Sequence, residues 1–156
     1  MSSRAKTGDR VTEMETTPTK VGVLSCSGEA EPEGTLARNA VRLVMEKYRP
    51  GLTVSLCLPL YLAGDVGERD FAKKFPVIAV DGCEKACARL ATEKYSGTVE
   101  ACINIRDLLE EWGVEDELSR SHPGELEREL AERIAGEIVM VIDGLVAEGK
   151  VADAGG

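Results

Sequence analysis

Five cysteines and a single histidine are the residues of this chain best suited to chemistry. Three of the cysteines stand at the ends of apolar runs. Cys26 closes "KVGVLSC" (20–26), Cys57 lies near the end of "LTVSLCL" (52–58), and Cys83 follows "FPVIAVD" (75–81) by two residues. Cys87 comes four residues after Cys83 in "DGCEKACARL", the spacing at which two side chains share one helix face. Thiolates grouped in this way suit zinc, whose tetrahedral sites use Zn–S bonds of about 2.3 Å and so hold sulfurs roughly 3.8 Å apart. The same four thiolates would also serve an iron–sulfur cluster or thiol redox chemistry. The plainer alternative is that they are small buried apolar side chains, as free cysteines often are. An odd number of cysteines fits a disulfide framework poorly.

The elements that must position these thiols follow from periodicity. Strands are expected at 20–26, 52–58, 75–81 and 98–105. Helices are expected from an N-cap at Thr35 through "LARNAVRLVMEKY", over roughly 67–75, over 83–95, and in "RDLLEEWG" up to Gly113. In the last segment Leu126, Leu130, Ile134, Ile138, Ile142 and Leu145 recur at near-helical spacing, whereas "IVMVID" (138–143) alone reads equally as a strand. One long helix to about Glu148 is the preferred reading, although Gly136 and Gly144 weaken it. Strands that are continuous apolar runs and alternate with helices indicate an α/β fold, a doubly wound, mostly parallel sheet of about four strands covered by helices on both faces. Ligands of such sheets bind beyond the carboxyl ends of the strands. That edge would gather Cys26, Cys57, Cys83 and Cys87 at one rim, since neighbouring strands lie about 4.8 Å apart. A helix starting at Cys83 would present the positive end of its dipole to the thiolates.

One domain is expected over 20–148, preceded by a disordered polar tail over 1–19 and followed by a fraying tail over 149–156. The chain has 156 residues and 43% apolar content, enough for a core, with 19 basic against 28 acidic residues and a net charge of −9. That balance excludes the basic stripe of a nucleic-acid interface and the polybasic surface that meets anionic membranes. No apolar run approaches the roughly 18 residues of a membrane span, and the N-terminal residues lack the apolar core of a secretory signal. A cytoplasmic location with reduced thiols is therefore expected.

Other candidates are read more plainly. Asp81 and Glu84 have the spacing of a capping box, with Asp81 as N-cap and Glu84 at the third helical position. Asp81 is thus read as a helix cap before it is read as a catalytic base, and Gly82 would ease the turn. Cys102 falls inside the fourth strand and is read as core. His122, before Pro123 in a polar loop, is read as solvated. Glu29 and Glu31 lie near the proposed rim in "CSGEAEPEG", a stretch that has glycines but no dinucleotide- or phosphate-binding loop pattern.

The stretches "CSGE", "CLPLYLAGD" and "IAVDGCEKACARL" resemble the DGC domain family, named for its Asp-Gly-Cys motif, from about Val21 to Glu115. The resemblance implies a zinc-binding protein whose four ligands fall at Cys26, Cys57, Cys83 and Cys87. The acidic "EAEPE" departs from the small residues that the family carries after its first cysteine. The expected function is an accessory, interaction or thiol-based regulatory module holding Zn(2+). The alternative is a zinc-dependent or redox enzyme using the same cluster, with Asp81 or Glu29 as base.

Overall fold

The computed structural model describes residues 17–153. The sheet has four parallel strands: β1 (Val21–Ser25), β2 (Thr53–Val54), β3 (Val77–Asp81) and β4 (Ala101–Asn104), in the order β2-β1-β3-β4. Among the described residues seven α-helices connect and cover them: α1 (Pro32–Leu43, continued by a π turn over Val44–Tyr48), α2 (Leu60–Ala63), α3 (Val66–Arg69), α4 (Phe71–Lys74), α5 (Cys87–Tyr95), α6 (Ile105–Glu111) and α7 (Glu125–Ala147). The α/β architecture expected from the sequence is the one found. All five residues of β3 are buried, as a central strand covered on both faces requires. On one face Val21, Val23, Ile78 and Val80 pack with the apolar sides of α1, α6 and α7; on the other, Leu24, Tyr61, Phe71, Val77, Ala79 and Ala88 form a smaller core.

Four local expectations are corrected. The first helix begins at Pro32 and not after Thr35: proline suits the first helical position because its missing N–H would be unpaired there anyway. The Thr35 hydroxyl lies inside the helix and donates to the Arg120 carbonyl at 3.0 Å. The second strand is only two residues long. Past Val54 the chain peels away from β1, turns at Cys57 (Leu60 N–H to Cys57 O, 2.9 Å) and meets Pro59, which has no N–H for a ladder. The weak helix over 67–75 is two short ones, α3 and α4, preceded by a third, α2. The helix expected over 83–95 starts only at Cys87, because Ala86 is left-handed (φ +48°) and interrupts it. Cys83 and Cys87 therefore do not lie one turn apart on a single helix.

The last segment is one helix, Glu125–Ala147, with Leu130, Ile134, Ile138, Ile142 and Leu145 buried along its inner face. Glu127 fixes its start by accepting from Gly124 N–H and Ser119 N–H, each at 2.7 Å. The Ser119 amide, followed by those of residue 127 itself and of Gly124, holds this carboxyl below its ordinary value. A carboxyl depressed in the native state adds stability above its unfolded pKa of about 4.3, and that stability is lost as pH falls through the folded value. Glu127→Gln should therefore show a shallower loss of stability below about pH 4.3 than the parent protein, measured by urea midpoints across pH.

Beyond Gly149 (φ +73°), Val151 is buried and Ala152 N–H donates to Pro18 O at 2.8 Å, so both positions belong to the packed body. The polar stretch 1–16 and the final residues 154–156 lie outside the described residues. Among the described residues no helix is long and apolar enough to cross a membrane.

Candidate functional site

The parallel arrangement brings the carboxyl ends of β2, β1 and β3 side by side, and with them Cys57, Cys26 and the Cys83–Cys87 turn, in that spatial order. Cys26 is the first residue after β1; its N–H still bonds Val80 O at 3.0 Å, so it stays aligned with β3. Its Sγ accepts from Gly82 N–H at 3.4 Å. Burial pushes the Cys26 thiol up, and the charges of Asp81 and Cys87 add to this against the Gly82 and Gly28 amides, so Cys26 and Cys87 lie within each other's field. Cys57 and Cys87 are exposed, Cys83 is half-buried, and all are free thiols.

Three glycines bind these loops together. A Cβ on Gly82 would stand 2.5 Å from Gly34 N, one on Gly34 would stand 2.5 Å from Gly28 Cα, and Gly28 itself has φ +75°. The loop after β1, the first turn of α1 and the turn after β3 thus touch backbone to backbone, which only residues without a Cβ allow. Arg106, at the start of α6, fastens the same region from outside: it reaches Glu84 at 2.7 Å, Glu33 at 3.2 Å and Glu31 at 3.5 Å. Neither feature was read from the sequence. The spacing Gly28-x5-Gly34 is visible there, but its partner Gly82 is remote, and nothing local links Arg106 to glutamates that precede it by up to 75 positions (106 − 31).

Asp81 is buried and spends its carboxylate on the N-terminus of α5, accepting from Ala88 N–H at 2.7 Å and Arg89 N–H at 3.1 Å. The cap expected of Asp81 is present, but it acts across the 82–86 turn and not from the residue next to the helix. Glu84 is no part of it and pairs with Arg106 instead. Burial is the main reason that the Asp81 carboxyl titrates above its ordinary range; the Ala88 and Arg89 amides pull the other way. Glu29 is exposed and lies 3.8 Å from Arg38. His122 is exposed, as expected. Cys102 lies in β4 as read but is exposed, not core, because β4 is an edge strand with incomplete cover.

Between the ends of β1 and β2 lies a cavity of about 570 Å³ onto which Cys26 and Cys57 both open. It exists because β1 runs three residues (Val23, Leu24, Ser25) past its last pairing with β2. Cys83 and Cys87 lie on the other side of Cys26 and do not line it. Among the described residues no three His, Cys, Asp or Glu side chains converge tightly enough to hold an ion as they stand. The donor set suits a thiophilic ion in kind: four unpaired thiols on loops at one edge of the sheet, two of which belong to loops held in backbone contact.

No curated protein and no solved structure matches the sequence. A family model for the DGC domain matches residues 22–138, a span that runs from β1 into α7 and contains all four rim cysteines. The chain belongs to the DGC domain family.

Proposed function

We propose that this protein binds one zinc ion through Cys26, Cys57, Cys83 and Cys87 and acts as a cytoplasmic accessory, interaction or thiol-based regulatory module. The observation that carries this reading is the placement of four free thiols on the loops that follow the carboxyl ends of three adjacent strands. Zinc held by four thiolates would be a closed centre that ties loops together and releases them when a ligand is lost or oxidised. The chain contributes the rest. The glycine contact keeps the loops of Cys26 and Cys83 together, and the Gly82 amide favours the Cys26 thiolate. Both sheet faces carry cores of buried apolar side chains, on which Cys26 alone of the four rim thiols packs, so the metal need not hold the fold as it does in a small finger.

The accessory reading is preferred to an enzymatic one because Asp81 has both carboxylate oxygens engaged by the α5 amides and Glu29 is solvent-facing. A nucleic-acid partner is disfavoured by the net charge of −9. Elemental analysis of anaerobically purified protein tests the proposal. About one zinc per chain and a colourless solution are expected. A brown protein containing iron and sulfide would replace zinc by an iron–sulfur cluster. Absence of any bound transition metal, even after incubation with zinc under reducing conditions, would overturn the metal reading.

A further inference from the structure

The cavity between β1 and β2 has an architecture that metal binding does not explain. Its volume of about 570 Å³ lies within the range of small-molecule sites, roughly 300–1,000 Å³. Val41, Met45, Leu56 and Leu58 give it an apolar wall. Arg38 and Arg42, one turn apart on α1, stand on the same wall. Arg38 is engaged: it donates to Ser27 O at 3.2 Å and lies 3.8 Å from Glu29. Arg42 makes no ion pair among the described residues. Glu46 also lines the cavity and would be the natural i+4 partner of Arg42. Glu29 lines it too, yet neither carboxylate pairs with Arg42 among the described residues; just past Arg42 the helix widens into a π turn over Val44–Tyr48, closed by Arg49 N–H to Val44 O at 2.7 Å. Among the described residues the Arg42 guanidinium thus stands beside an apolar wall without a salt-bridge partner.

We infer that this cavity binds a small organic acid, its apolar body against Val41, Met45, Leu56 and Leu58 and its carboxylate on the Arg42 guanidinium. The fork of an arginine matches a carboxylate with two parallel hydrogen bonds. The apolar wall supplies affinity that free acetate or phosphate cannot use. The inference rests on the cavity and on Arg42; the cavity shares Cys26 and Cys57 with the proposed zinc site, whereas Cys83 and Cys87 lie outside it.

The test uses the full-length protein and a matched pair of fluorescent probes, dansylglycine and its neutral amide, titrated by emission enhancement. Dansylglycine should bind and its amide should bind at least about tenfold more weakly, because a hydrogen bond to a charged group is lost. Arg42→Met should weaken dansylglycine by a similar factor and leave the amide unchanged. Arg42 is exposed, so the variant should keep the parent circular dichroism spectrum. Cys83→Ser should bind dansylglycine as the parent does. Absence of dansylglycine binding, or equal affinity for acid and amide, would overturn the inference without any variant. An unaltered affinity in Arg42→Met would do the same. Loss of binding in Cys83→Ser would overturn it too, by showing that the carboxylate sits on the metal centre and not on Arg42.

Discussion

Under the proposed zinc ligation, replacing Cys83 by serine is expected to abolish most of the zinc binding, while Cys102→Ala keeps the full complement. A serine hydroxyl stays protonated at neutral pH and is a poor ligand for zinc beside thiolates. Three thiolates would remain, but the turn that carries Cys83 is the one pressed against Gly34, so the loss falls at the best-fixed part of the rim. Cys102 lies within β4, on the far side of β3 from Cys26 and Cys57. Metal content of the two variants, each purified anaerobically beside the parent, decides the matter. A full equivalent in Cys83→Ser would remove Cys83 from the ligand set. Loss of metal in Cys102→Ala would bring Cys102 into it.

Gly82→Ala is expected to destabilise the domain by about 3 kcal/mol, although it adds one methyl group. The new Cβ would stand 2.5 Å from Gly34 N, 2.7 Å from Gly34 Cα and 2.9 Å from the Glu33 carbonyl carbon. All three are backbone atoms, so no side-chain rotation relieves the overlap, and either the turn after β3 or the first turn of α1 must move. Such a shift would also break the Gly82 amide contact to Cys26 Sγ, so the variant should bind zinc more weakly. Gly136→Ala is the matched control. Nothing lies within 4 Å of a Cβ there, the site is inside α7, and the same added methyl should stabilise by roughly 0.5–1 kcal/mol. Urea midpoints at unchanged slope measure both. A Gly82→Ala midpoint equal to the parent would show that the three-loop contact is compliant and does not set the geometry of the rim.

Much of this protein was legible in its sequence, for a definite physical reason. The core strand "VIAVD" is apolar because both its faces are covered, and α7 shows its inner face at helical spacing through Leu130, Ile134, Ile138 and Ile142. Burial writes itself into local pattern, so the parallel sheet and the thiols near its strand ends followed from the chain alone. The resemblance carried by "IAVDGCEKACARL" led to the family that the matching model shows.

What the sequence did not contain was decided by contacts between distant residues. The positive φ of Ala86 delays α5 to Cys87, and its local neighbours give no sign of it; the Asp81 carboxylate then caps the helix from across the turn. The shortness of β2 leaves the β2 side of β1 unpaired beyond Gly22 and opens the cavity between Cys26 and Cys57, an outcome set by where two strands part and not by either one's composition. Gly28, Gly34 and Gly82 are ordinary loop glycines when read singly and become one close contact only when three segments meet. Arg106 likewise gathers Glu31 and Glu33 from the start of α1 and Glu84 from the turn after β3. Periodicity records which side of an element is buried; it does not record which backbones approach each other, and at this rim that approach determines where the thiols stand.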